Sequence, residues 1–204
     1  MKLIFLGKQG SGKGTQGKII ADKLGIFHIS TGDLLRSATG KIKLEIDSYI
    51  NKGNLVPDEL IFKILKERLH DKETQEGFIL DGFPRNLEQA KELEKITKID
   101  KVVDIDILDN EAVKRLSARW SCPKCKTSYN YVTSPKPKKK GICDFCNISL
   151  IHREDDKKEA IRKRLEIYHR ETEPLLVFYK NILVKINGKQ EINKVTEYLL
   201  KQIK

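Results

Sequence analysis

The sequence predicts an α/β fold, a doubly wound parallel five-stranded sheet with a phosphate-binding loop (P-loop) and two small insertions. Three observations predict it. Met1–Leu6 is an apolar run that enters a loop with glycines at 7, 10, 12 and 14, followed by helical spacing. Four more short apolar runs, 26–29, 78–80, 102–108 and 182–186, alternate with helical patterns. Two cysteine pairs interrupt that alternation late in the chain. Strands separated by helices imply a parallel sheet whose ligand site lies at the strands' carboxyl ends.

At 204 residues the chain is long enough for one α/β core with insertions, and 39% hydrophobic with 34% charged residues fits a soluble globular protein. The N-terminal stretch reads as a strand, not a leader, and no apolar run is long enough to span a bilayer, so the expectation is a cytoplasmic protein with no membrane partner. The formal charge of +11 raises the question of nucleic acid. Lysine supplies most of it and is scattered; only Lys136, Lys138, Lys139 and Lys140, with Pro135 and Pro137, form a block. The expectation is therefore no nucleic-acid partner and a positive cleft suited to small polyphosphates. No apolar surface stripe is left over, so a monomer is expected.

The first strand delivers Gly7 to Thr15. Glycines remove the Cβ atoms that would stop a backbone curling around an anion, and the helix from Gln16 to Leu24 aims its positive end at the same point. Lys13 adds a mobile cation. The general pattern places Ser or Thr directly after that lysine as a magnesium ligand; here Gly14 intervenes and the hydroxyl is Thr15. The second strand, 26–29, leads to a helix capped by Ser30 or Thr31 with Asp33 in its first turn. Arg36 near a helix start opposes the helix dipole, which points to a ligand. A helix over about 41–52 ends at Gly53, and Pro57 starts another with Leu60, Ile61, Ile64, Leu65 and Leu69 inward. Residues 30–56 thus read as a small helical insertion.

The strand at 78–80 ends at Asp81, followed by Gly82, Phe83, Pro84 and Arg85. An acid at the carboxyl end of a strand beside a phosphate loop is where magnesium or its water shell would be held. Helices are expected over 86–98 and 110–120, the second carrying Arg115 and Arg119, with a strand at 102–108 between them. Cys122, Cys125, Cys143 and Cys146 then form C-x2-C, seventeen residues, C-x2-C. Four thiolates at this spacing read as a closed, structural zinc knuckle; disulfides are disfavoured in a cytoplasmic chain, and an iron site uses the same ligand type. The intervening segment is too short for a core of its own, so metal ligation would supply its folding energy. A long helix follows, with Arg162 and Arg164 on it and Pro174 expected to kink or restart it. A last strand turns at Asn187 and Gly188 into a closing helix.

With these motifs in this order, the chain resembles the adenylate kinases in their long-lid, zinc-bearing bacterial form, across essentially its whole length. The resemblance implies a nucleoside monophosphate kinase that moves phosphoryl from ATP, with Mg2+, to AMP, giving two ADP. It implies ATP contacts at Gly10, Ser11, Gly12, Lys13, Gly14 and Thr15, at Arg115 and Gln190 near the adenine, and at Arg119, Ser128 and Tyr129. For AMP it implies Thr31, Arg36, Asn54, Leu55, Val56 and Gly82, and also Phe83, Pro84, Arg85 and Gln89. Arg153 and Arg164 would reach across to the phosphates, and Lys13, Arg85, Arg119, Arg153 and Arg164 would carry catalysis. It implies a core of 1–29, 57–117 and 157–204, an acceptor-binding insertion at 30–56, and a lid at 118–156 whose four cysteines hold structural Zn2+.

Two positions depart from the family. Gln9 stands where proline is usual, which leaves the loop less stiff, and Trp120 stands where a second arginine commonly follows Arg119. Two other readings compete: a kinase for a different nucleoside monophosphate, against which Gln89 offers an adenine edge both a donor and an acceptor; and a nucleic-acid-binding NTPase gripping phosphate with its knuckle and the Lys136–Lys140 block, which has only Tyr129, Tyr131 and Phe145 for stacking.

Overall fold

A computed structural model describes residues 1–203. Its strands are β1 (Lys2–Leu6), β2 (Phe27–Ser30), β3 (Phe78–Asp81), β4 (Lys101–Asp106), β5 (Arg119–Ser121), β6 (Ser128–Asn130) and β7 (Leu183–Asn187). Five of them form one parallel sheet in the order β2-β3-β1-β4-β7, while β5 and β6 form a separate antiparallel pair. The helices are α1 (Lys13–Leu24), α2 (Thr31–Ser37), α3 (Gly40–Ile50), α4 (Asp58–Leu69), α5 (Leu87–Ile96), α6 (Asp109–Ser117), α7 (Lys158–Ile167), α8 (Leu175–Phe178) and α9 (Ile192–Ile203).

The central strand explains the layering. In β1 every residue from Leu3 to Leu6 is at most 2% exposed, as a strand covered on both faces requires. Ile4 and Leu6 point into one cluster with Leu80, Leu93 and Leu175, and Leu3 and Phe5 into another with Ile20, Leu199 and Ile203. Alternation along a single strand thus feeds both helical layers. Because β1 is flanked by β3 on one side and β4 on the other, its carboxyl end opens into a crevice between elements that leave in opposite directions. Gly7 begins that exit at φ +131°, and a Cβ there would lie 2.3 Å from the Ile105 carbonyl oxygen, so only glycine lets the chain pass so close to β4.

Two local expectations are corrected, and a third, the restart of the helix at Pro174, is given its physical cause. The helix expected to reach Trp120 stops at Ser117, and Arg119–Ser121 is a strand paired with Ser128–Asn130. Trp120 packs on the cysteine cluster and against the His152 ring at 4.2 Å, an attachment stronger than the local helical pattern. Arg36 falls in the last turn of α2, not near its start, because Ser30 caps a helix of only seven residues by accepting from the Asp33 N–H; the dipole there favours a cation. The long helix after the knuckle breaks at a π-helical turn, Tyr168–Thr172, just before Pro174. The Glu173 N–H donates to the Tyr168 carbonyl at 2.8 Å, and the extra residue in that turn leads the chain into α8 without needing the N–H that Pro174 lacks.

Candidate active site

The carboxyl ends of β1 and β3 bring Lys13 and Asp81 together. Gly12, at φ 104°, caps α1, and Lys13 Nζ folds back over the loop, donating to the carbonyls of Gly7 at 2.6 Å and Lys8 at 2.8 Å. Burial pulls the Lys13 ammonium down to about 8; Asp81 opposes this, and Arg85 and Arg164 reinforce it. Asp81 sits beside the start of α1, its Oδ2 3.3 Å from where a Cβ on Gly14 would be and 3.4 Å from His28 Nε2. Burial pushes its carboxyl upward, but His28 and Lys13 outweigh that and hold it below the usual carboxylate range.

Five guanidinium groups converge on the same space. Arg119 forks onto Asp156, Nε to Oδ2 at 2.8 Å and Nη2 to Oδ1 at 2.6 Å. Arg164 Nη1 donates to the Asp155 carbonyl at 2.8 Å and lies 3.0 Å from its carboxylate. Arg36 is bonded to Asp33 at 2.8 Å and reaches within 3.9 Å of Asp155, so the 30–56 insertion faces the segment after the knuckle. Arg153 donates to the hydroxyls of Ser121 and Ser128, at 2.8 and 3.2 Å. Arg85 Nε donates to the Gly82 carbonyl at 2.8 Å. Burial together with Arg119 and Arg36 brings Arg153 down to about 9, and burial brings Arg164 down to about 10 despite Asp155. Burial likewise lowers Arg85. Arg119 moves the other way: burial lowers it, but its bidentate bond to Asp156 more than compensates. Such a cluster is a site short of negative charge, and arginine's planar fork matches phosphate oxygens.

Other predicted residues fall around this cluster. The Thr31 hydroxyl donates to the Asp81 carbonyl at 3.0 Å, and Gly82 lies directly against that hydroxyl. Phe83 is fully buried with an edge-to-face contact to Phe62, followed by Pro84. Asn54, Leu55 and Val56 form the coil between α3 and α4. Arg115, tied to Glu111, donates to the Gly188 carbonyl at 3.0 Å, bringing it beside the turn that carries exposed Gln190. Two side chains face elsewhere than expected. Gln89 is fully buried, its oxygen accepting from the Arg85 N–H at 2.7 Å and its nitrogen donating to Asp58 at 2.6 Å, so its amide fixes the Arg85 backbone. Tyr129 alternates with Ser128 along β6 and points into the knuckle, where its hydroxyl accepts from the Asp144 N–H at 2.9 Å.

The four cysteine Sγ atoms lie within 4.8 Å of one another, with Cys125 and Cys143 3.6 Å apart. Tetrahedral zinc with bonds of about 2.3 Å requires sulfurs about 3.8 Å apart, so the cluster fits a four-thiolate ion. It is joined to the cleft through β5, which carries Arg119 and Ser121, and through the Ser121–Ile151 backbone pair.

The adenylate kinase family model matches residues 5–184. The chain is 45% identical to an adenylate kinase of Caldicellulosiruptor saccharolyticus, covering 100% of this chain and 99% of that protein. It is 44% identical to one from Methanocella arvoryzae, covering 96% and 95%, and 42% identical to one from Clostridium tetani, covering 97% and 95%. The chain belongs to the adenylate kinase family. It is a nucleoside monophosphate kinase, and its fold and four-cysteine cluster match the long-lid form that the sequence resembled. Among the described residues no helix is long and apolar enough to cross a membrane.

Sequence reasoning passed over the counter-ions. Asp155 and Asp156 are 5% and 6% exposed and hold Arg36, Arg119 and Arg164; two adjacent acids just after Arg153 were the available signal. Asp104 was also unmarked. Burial, then neighbouring Asp106, raises its carboxyl from 3.8 to about 6, and its Oδ1 has no partner. Between these two values the folded chain binds more protons than the unfolded one, so stability falls as pH rises through that window and the full cost is present above it. Asp104→Asn is therefore expected to stabilise the protein by about 1–3 kcal/mol at pH 8, with the gain vanishing below about pH 4. Urea denaturation at the two pH values measures it.

Proposed function

We propose that this kinase transfers the γ-phosphoryl group of ATP, bound with Mg2+, to AMP, reversibly giving two ADP, and so serves adenylate salvage. The observation that carries this reading is the convergence of Arg36, Arg85, Arg119, Arg153 and Arg164 with Lys13 around one cleft, where Asp155 and Asp156 are the main counter-charge. The attacking oxygen of AMP is already anionic at neutral pH, so no strong base is needed. The requirements are neutralisation of two repelling polyphosphates and in-line alignment.

In this reading Gly10–Thr15 turn their amides toward the ATP phosphates and Lys13 leaves the carbonyls of Gly7 and Lys8 to follow the transferring group. Arg119 and Ser128, with the backbone at Tyr129, close over ATP, while Arg115 and Gln190 flank its adenine. Thr31, Arg36, Asn54, Leu55, Val56 and Gly82–Arg85 hold AMP, and Gln89 supports it by fixing Arg85. Arg153 and Arg164 span both phosphate chains. Asp81 would hold magnesium through water, and the bound ion would neutralise charge on the donor phosphates. Residues 1–29, 57–117 and 157–204 act as the core, 30–56 as the acceptor-binding part and 118–156 as a lid that excludes water; adenylate kinase lids are themselves a stock example of such closure. The protein works as a cytoplasmic monomer without nucleic-acid or membrane partners.

A panel of AMP, CMP, UMP and GMP with ATP and magnesium tests the acceptor. AMP should exceed the others in kcat/KM by about 100-fold or more, the scale that paired hydrogen bonds to a base can supply; preference for a pyrimidine would overturn the assignment. Cys122, Cys125, Cys143 and Cys146 would hold zinc, which fixes the lid as a rigid unit. Chelation should then lower the melting temperature, by about 2–4 °C for each kcal/mol lost in a chain of this size, and unchanged melting would contradict a structural ion.

A further inference from the structure

The loop from Gly7 to Gly12 has an anchor that the reaction scheme does not use. Lys8 is a lysine with a side chain only 11% exposed, and its Nζ donates to the Ile107 carbonyl at 2.8 Å. The same nitrogen lies 3.3 Å from Asp109 Oδ1, 3.6 Å from Asp106 Oδ1, and 5.8 Å from the centre of the Tyr168 ring. A lysine is buried this way only when its charge and hydrogen bonds are met, and here they are met by the end of β4, the start of α6 and the π-helical turn.

Among the described residues, no other side chain of the loop itself bonds to the surrounding fold. The Gln9 carboxamide oxygen and the Ser11 hydroxyl are both buried without a partner, and no acceptor takes the Gln9 backbone N–H. Gly7 and Gly10 both lie at positive φ, and the stretch contains no proline. No residue in it restricts φ as proline would, yet the Lys8 carbonyl is the acceptor for both the Ser11 N–H at 3.2 Å and Lys13 Nζ at 2.8 Å. Where the backbone of residue 8 sits therefore sets where the phosphate-facing amides and Lys13 sit.

We propose that Lys8 is a positioning residue for ATP: its buried ammonium pins the phosphate loop to Ile107 and Asp109, supplying the stiffness that Gln9 does not. The far end of the tether is itself braced. His169 Nε2 contacts Asp109 at 3.0 Å while its Nδ1 contacts Glu173 at 2.8 Å, and Thr172 of the same turn donates to the Arg85 carbonyl at 2.8 Å. One turn of π-helix thus touches the mount of the donor loop and the backbone of an acceptor-side arginine.

This inference rests on the proposed ATP:AMP activity, so unmodified protein is assayed first; failure to form ADP from ATP and AMP would defeat that reading, not the role of Lys8. In a protein that passes, Lys8→Met keeps the methylene packing and removes the tether. KM for ATP should rise about five- to ten-fold, with KM for AMP and kcat changing less than about two-fold. A role in packing alone would lower the melting temperature without that split. Charge is separated from stiffness by Gln9→Pro, which limits the loop's backbone freedom at a position whose N–H is unused. In the Gln9→Pro background the Lys8→Met effect on KM for ATP should shrink below about two-fold. If Lys8→Met does not fold, Asp109→Asn weakens the tether at its half-exposed end, leaving the Ile107 bond in place, and should raise KM for ATP about two- to three-fold. An unchanged KM for ATP in the folded variant, or a full Lys8→Met defect persisting beside Gln9→Pro, would overturn the proposal.

Discussion

Repulsion among clustered guanidinium groups is the constraint on which this structure depends. Burial and neighbouring guanidinium groups lower Arg85, Arg153 and Arg164, while Asp156 rescues Arg119, which places these groups in one poorly hydrated space beside Arg36. Left alone they would drive the cleft apart. Asp155 and Asp156 prevent this by taking Arg119, Arg164 and Arg36 together, and both acids lie on one short turn between the knuckle and α7. A buried pair of this kind adds little to stability over an apolar substitute, but removing one partner would leave an uncompensated charge. In the proposed reading it holds the guanidinium donors in place before phosphate arrives.

The rest of the fold delivers these groups to one point. Parallel strands place the phosphate loop, Asp81 and the β4 exit at a common edge of the sheet. The β5–β6 pair carries Arg119 and the two serines that hold Arg153, and the cysteine cluster gives that pair a foundation that a segment rich in lysine and proline could not build from apolar burial. The π-helical turn braces the opposite wall, where Thr172 meets Arg85 and His169 meets Asp109.

Much of this was legible in the sequence because it was written in local patterns. The five sheet strands, the glycine loop, Asp81 at a strand end and the paired cysteines each announce themselves by periodicity, glycine placement or spacing. What was not legible depends on partners far along the chain. Arg119 reads as helical until the knuckle claims Trp120, and Gln89 reads as a free amide until Asp58 and Arg85 claim both its ends. Strand alternation, visible only once β6 pairs with β5, turns the Tyr129 side chain into the knuckle. Lys8 resembles one more surface lysine in a chain full of them, and only the tertiary fold reveals the carbonyl and two carboxylates around it.

The central claim is that the cleft works only when two nucleotides together satisfy its cations and displace water. The most direct measurement is the initial rate of ATP cleavage, followed by rapid quench, with saturating AMP and with none. The account predicts that without AMP the rate falls by about 1,000-fold or more, the scale on which a closed, dry site separates transfer from hydrolysis. Comparable rates in the two conditions would contradict it.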